Sequence, residues 1–158
     1  MAKKYWLVKS EPETFSIQDL KKSKNQTTCW DGVRNYQARN FIRDEMKKGD
    51  GVFFYYSNSE SMGIYGICEI VKEGYPDHTQ YDPDSHHYFP SAKPDNPVWY
   101  MVDIKLVEIF KHPVMLDNIK KNPRLRDMKL LQKGNRLSVM PVTGAEWGEV
   151  IRMEKNSN

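Results

Sequence analysis

The side chains with most to offer chemically are aromatic and polar groups set next to each other at turns of the chain. Trp30 precedes Asp31-Gly32, and Arg34-Asn35 follow almost at once. An indole beside a glycine turn is oddly placed for a core residue, because turns run over the surface. It can instead serve as a stacking wall for a planar ligand. Lys9-Ser10-Glu11-Pro12 closes one apolar run and Tyr55-Tyr56-Ser57-Asn58 closes another. Serine and asparagine at such ends offer donors and acceptors to the edge of a base, and they are equally at home in turns. The residues alone therefore leave two readings open, an aromatic-walled pocket or ordinary surface turns.

Other chemistries find less support. Asp77, His78, Asp82, Asp84, His86 and His87 are suitable metal ligands by type, but they share one Pro-, Asp- and Tyr-rich stretch that reads as a polar surface loop. No metal is expected there, and His86-His87 could equally border a pocket. Gly-rich phosphate loops, G-x-S-x-G, H-E-x-x-H and paired C-x-x-C motifs are absent, so no cofactor is expected. An enzyme acting on a modified nucleotide or a free base would have to draw on Asp77, Glu11 or Asp103, with Asp77 and Glu11 as its acid–base pair, and none has an obvious His or Lys partner. Cys29 and Cys68 are too few for a disulfide framework. They read as two reduced thiols in a cytoplasmic protein.

These groups need a scaffold, and the composition supplies one. The 158 residues suit one domain over 1–158. With 39% hydrophobic and 12% aromatic residues, and a net charge of only +3, the chain is not a disordered polymer. No apolar stretch approaches the roughly 18–20 residues of a membrane span, and the start lacks the apolar region of about 7–15 residues that a secretory signal needs. No membrane partner is expected. Without a heptad or a long apolar edge, a monomer is expected.

Strands are predicted over Tyr5–Lys9, Val52–Ser57, Ile64–Val71, Val98–Phe110 and Leu137–Met140 by alternation. Along Val98–Phe110 one face is apolar. The other (Trp99, Met101, Asp103, Lys105) is mixed and expected to be wet or to line a site. Helices are predicted at Ser16–Leu20, Val33–Lys48, Leu116–Lys121 and Leu125–Leu131, with a final one opened by the Thr143–Glu146 capping box. The elements mix without a regular βαβ alternation, which predicts an α+β fold with a curled sheet or small barrel flanked by short helices. Charge is uneven. Glu73–Asp103 holds six acids and one base, whereas Lys111–Arg136 holds eight bases and two acids. The basic segment suits a polyanion, or is a solvated helical face.

A longer pattern is more specific. Tyr5-Trp6-Leu7-Val8-Lys9-Ser10-Glu11-Pro12 and the block from Thr28-Cys29-Trp30-Asp31-Gly32-Val33-Arg34-Asn35 to Phe41 closely resemble the EVE domain family. So do Gly49-Asp50, Phe54–Asn58, Gly63-Ile64-Tyr65-Gly66, Val71–Asp77 and Asp95–Trp99. The resemblance runs from about Lys4 to Met153. It implies a PUA-like fold, a curled β-barrel with flanking helices related to the YTH domains that read methylated adenine in RNA. It also implies a non-catalytic reader that flips a modified base, such as 5-methyl- or 5-hydroxymethylcytosine, out of DNA or RNA, and a stand-alone cytoplasmic member of the family.

By the same resemblance Trp30 would stack on the base, with Lys9 and Ser10 at one corner and Ser57 and Asn58 at the floor. Arg34 and Asn35 would meet the base edge or the backbone, and Asp77 and Trp99 would stand near the opening. Tyr56, Trp99 and His86 compete for a second aromatic wall. Lys120, Lys121, Arg124, Arg126 and Arg136 are the candidate phosphate contacts. Extracting a base costs a few kcal/mol. Stacking returns about 1–3 kcal/mol, and a methyl group in an apolar corner adds about 1–3 kcal/mol. The expected partner is thus a nucleic acid bound with modest, salt-sensitive affinity.

Overall fold

The structure, a computed structural model, describes residues 3–157. Its strands are β1 (Tyr5–Ser10), β2 (Thr27–Cys29), β3 (Gly51–Tyr56), β4 (Gly63–Pro76), β5 (Tyr100–Met115) and β6 (Val139–Val142). They form one mixed sheet in the order β2-β5-β4-β3-β1-β6. β1 runs parallel to β3, and every other neighbouring pair is antiparallel. β3 lies centrally and is buried at all six positions, as its unbroken run Val52-Phe53-Phe54-Tyr55-Tyr56 requires. β4 alternates instead, burying Ile64, Gly66, Cys68 and Ile70 and leaving the residues between them half-buried.

The sheet curls without closing. The long β4–β5 pair breaks register at four places, and each irregularity adds bend and twist. Gly66 marks one of them, where a Cβ would lie 2.5 Å from the Glu108 carbonyl oxygen. The core includes Trp6, Phe53, Phe54, Ile104 and Ile119, and Phe53 and Phe54, consecutive on β3, bury opposite faces of the sheet. The result is the α+β, PUA-like architecture expected from the sequence.

Short helices cover the sheet, and local capping sets where they begin. α1 (Ile17–Lys22) starts at Ser16, whose hydroxyl accepts from the Asp19 amide while the Asp19 carboxylate accepts from the Ser16 amide. α2 (Tyr36–Asn40) is capped by Asn35 and runs into a π turn at Phe41–Glu45. α3 spans Leu116–Lys121, and α4 (Gly144–Lys155) opens with the predicted Thr143/Glu146 box. Trp147 of α4 stacks on Phe53 with ring centroids 3.9 Å apart, locking the helix to the sheet.

Four expectations are corrected. The helix read over Val33–Lys48 begins only at Tyr36, because the Asn35 side chain accepts from the Ala38 amide and stops helical propagation there. Leu125–Leu131 is not a helix but two 3₁₀ turns, Pro123–Leu125 and Lys129–Leu131. Buried Leu125 and Met128 mimic helical spacing, while the extended ψ of 135° at Met128 separates the turns. The last strand lies at Val139–Val142, where it pairs with β1, Val139 opposite Val8 and Val142 opposite Tyr5. Finally, the second face of β5 is not wet at its start. Trp99 and Met101 are both buried, Trp99 beneath Tyr36 and Phe89.

Candidate nucleic-acid interface

The C-terminal end of β1, the turn before α1 and the end of β2 surround a cleft of about 450 Å³. Trp30 forms one wall. Its amide donates to the Val102 carbonyl at 2.7 Å, extending the β2–β5 pairing by one residue and fixing the indole at the sheet edge. Phe15 and Phe54 meet the indole edge-on, with centroids 6.3 and 5.6 Å away. Trp30 is only half-buried, and it lines the cleft together with Phe15. The second aromatic wall is therefore Phe15, which its place just before the α1 cap disguises as a packing residue. Ser10 fixes that wall, because its hydroxyl donates to the Phe15 carbonyl at 2.5 Å.

Behind the cleft stands a buried ionic cluster. The Asp77 carboxylate is fully buried and accepts from the Gly32 amide at 2.7 Å, the Arg34 Nη1 at 3.0 Å, and the amide and hydroxyl of Thr79 at 2.8 and 2.5 Å. Burial pushes this carboxyl up, but the hydrogen bonds from Thr79, Gly32 and Arg34 outweigh it and hold it below the usual carboxylate range. Arg34 also donates to the His87 carbonyl, to Thr79 and to the Val33 carbonyl, and lies over the Trp99 ring. Gln80 completes the cluster. Its amide group donates to the Asp77 and Trp99 carbonyls and accepts from the Val98 and Trp99 amides. Together these bonds lay the 77–99 segment against the cleft and bring the His87 imidazole to its rim.

Gly32 couples the two halves. Its φ of +78° lies in the left-handed region, and a Cβ there would meet His87 Nε2 at 2.6 Å. Gly32→Ala is expected to cost about 1–3 kcal/mol and to drive the imidazole off the rim. A denaturant melt measures the first effect and the His87 ring resonances report the second.

Several residues assigned from the sequence stand elsewhere. Lys9, Ser10 and Trp30 do line the cleft. Arg34, Asp77 and Trp99 do not. Arg34 and Asp77 are engaged with each other, and Trp99 is buried beneath Tyr36 and Phe89. Asn35 caps α2 and lines a different cleft, shared with Gln37, Lys129, Lys133 and Arg136. Asn58 lines a neighbouring cleft with Tyr56, where it donates to Glu11 at 2.8 Å. The Ser57 amide donates to the Ser10 carbonyl, and its side chain lines none of these clefts. Neither Tyr56 nor His86 lines the Trp30 cleft.

The candidate phosphate contacts divide. Arg136 joins Lys129 and Lys133 around the Asn35 cleft, which holds no carboxylate. Lys121 and Arg124 gather near Glu149, which lies 3.6 Å from Arg124 and 2.6 Å from Arg152. Lys120 and Arg126 are exposed and line neither. The Lys9 amide donates to the Ser138 carbonyl at 2.9 Å, so the Lys129–Arg136 loop leads directly to the Trp30 cleft.

The acid–base reading loses its main residue. All four bonds to the Asp77 carboxylate are internal, and the group is sealed from any ligand. Cys29 lines the cleft, but burial first, and then Asp31, Asp103 and Asp77, push its thiol up and away from a nucleophilic thiolate. Among the described residues no three His, Cys, Asp or Glu side chains come together as a metal site, and no helix is long and apolar enough to cross a membrane.

A curled mixed sheet carrying an aromatic-walled cleft beside its parallel strand pair defines a PUA-like domain. An EVE domain model matches residues 4–153, and the chain belongs to the EVE domain family. It is 46% identical to human thymocyte nuclear protein 1 over 168 aligned residues, covering 96% of this chain and 74% of that protein. A crystal structure of a protein from Pseudomonas syringae matches with a TM-score of 0.90 and 48% identity, over 95% of this chain and 99% of that one. The crystal structure of human THYN1 in complex with DNA containing 5-methylcytosine matches with a TM-score of 0.91 and 45% identity, over 98% and 99% of the two chains.

Proposed function

We propose that this protein is a non-catalytic reader that binds a modified cytosine in DNA by taking the flipped base into the Trp30 cleft. The observation that carries the reading is the cleft itself, with two aromatic side chains at a sheet edge, polar groups beside them and a carboxylate-free basic loop next to it. The likeness to human THYN1, solved with 5-methylcytosine DNA, supports the same reading. The Asp77 carboxylate, held by four internal hydrogen bonds, and the Cys29 thiol, pushed up by burial, are both poorly placed for turnover, which supports binding without chemistry. Stacking holds the base, and Lys129, Lys133 and Arg136 supply the attraction to phosphate that stacking alone leaves short.

A titration of intrinsic tryptophan fluorescence tests this. Short single- and double-stranded DNA and RNA would be compared, unmodified or carrying one 5-methylcytosine, 5-hydroxymethylcytosine or methyladenine. The expected result is selective quenching by a methylcytosine-bearing DNA. In Trp30→Ala the selective affinity should fall by the roughly 1–3 kcal/mol of base stacking. Because Trp30 also packs on Phe54, Trp30→Phe should keep the fold and recover part of the selectivity. Equal, salt-dependent binding to every strand would sink the proposal, and selective binding to RNA alone would move it to that substrate.

A further inference from the structure

The bonds inside the protein leave two charged groups of the cleft unengaged. Ser10 gives its proton to Phe15, and Glu11 accepts from Asn58. Asp31 follows Trp30 directly, lines the same cleft and is exposed. Among the described residues its carboxylate accepts no hydrogen bond and joins no ion pair. Lys9 lines the cleft half-buried, and among the described residues its ammonium likewise has no carboxylate partner. An unpaired carboxylate and an unpaired ammonium thus share one cleft with the stacking indole.

We propose that Asp31 selects the base, accepting a hydrogen bond from the exocyclic amino group of the ring stacked on Trp30 while Lys9 donates to an adjacent ring acceptor. The assignment rests on the reading of the cleft as a base site and narrows its ligand to bases with an amino donor beside an acceptor. Cytosine presents that order, with its N4 amino group next to N3 and O2. Thymine carries the same 5-methyl group as 5-methylcytosine but reverses the edge. Its O4 would face a carboxylate, which can only accept, and its N3–H would face an ammonium, which can only donate. The methyl group fills space in either base, so the polar pair and not the methyl contact separates them. A site built around hydrogen bonds rejects a mismatched edge far more strongly than an apolar pocket rejects a changed substituent.

The test uses four single-stranded DNA oligonucleotides that differ at one position, carrying cytosine, 5-methylcytosine, thymine or uracil. Affinities are measured by fluorescence anisotropy at one salt concentration for the native chain, Asp31→Asn, Lys9→Met and Trp30→Phe. The native chain is expected to favour 5-methylcytosine over thymine by about ten- to a hundredfold. Asp31→Asn, whose amide can turn a donor toward O4, should bring that ratio close to one with an unchanged melting midpoint. Removing a negative charge strengthens binding to every strand alike, so the ratio and not the affinity is the readout. Lys9→Met should weaken 5-methylcytosine binding without improving thymine binding.

An unchanged ratio in Asp31→Asn, with the native preference for methylated strands intact, would overturn the role of Asp31 and leave the reader standing. If the native chain distinguishes none of the strands, the base site and the Asp31 assignment fall together.

Discussion

Asp77→Ala is expected to lower folding stability by about 3–5 kcal/mol, the cost of leaving a buried charge without its partner. The carboxylate is wholly buried and accepts four internal hydrogen bonds. Without it the Arg34 guanidinium, whose side chain is only 21% exposed, faces carbonyls and a hydroxyl but no counter-charge. The Gly32 amide loses its acceptor as well. A urea melt reads the loss directly. Arg34→Met combined with Asp77→Ala should cost less than the sum of the two single changes, because the second replacement removes the charge that the first one stranded. The 77–99 segment should gain hydrogen exchange in Asp77→Ala, and with it the rim of the cleft should loosen.

The acid limb of the stability curve checks the same group. The folded carboxyl titrates below its ordinary value of 3.8, so the unfolded chain binds its proton first as the pH drops. Asp77 therefore contributes its full stabilisation above about pH 4 and loses it as the pH falls through the lower, folded value. Asp77→Ala should show a shallower loss of stability below that point than the native chain.

Much of the scaffold is legible in the sequence because local chemistry fixes it. Ser16 with Asp19, and Thr143 with Glu146, satisfy helix ends within four residues of chain, and the alternation along β4 follows from burial of one face. The helix at Tyr36 shows the limit. Ala38, Ile42 and Met46 carry the correct inward face, but the start is set by one side-chain bond from Asn35, which spacing does not reveal.

The site was harder to read for a related reason. Trp30, Lys9 and Ser10, grouped by the family resemblance, line one cleft. Arg34 looks like a ligand contact because it follows a glycine turn, yet its partner Asp77 lies 43 residues away and no local pattern links the two. Phe15 and Asp31 line the same cleft but carry little signal in the sequence, one because it resembles a packing residue before a helix cap, the other because an acid in a turn is common. Only the internal hydrogen bonds separate a polar group held by the fold from one left open to a ligand.

The same distinction decides where the phosphates run. Replacing Lys129, Lys133 and Arg136 together by alanine is expected to flatten the salt dependence of DNA binding. If each meets one phosphate, the slope of log K against log salt should shrink by about 2.7 for duplex, or about 2.1 for a single strand. All three are exposed, so stability should hardly change. Replacing Lys120, Lys121, Arg124 and Arg126 instead should leave the slope nearly as it was. Hydrogen bonds from Arg152 and Asn122 hold Glu149 down to about 2, so it stays ionised at any working pH and neutralises the field around Arg124. The Lys129–Arg136 loop has no such acid, and its chain passes to β1 through the bond between Ser138 and Lys9. A strand whose base occupied the Trp30 cleft is therefore expected to cross this loop. The opposite outcome, a slope lost with the Lys120–Arg126 set and kept with the other, would route the backbone across α3 and separate it from the cleft.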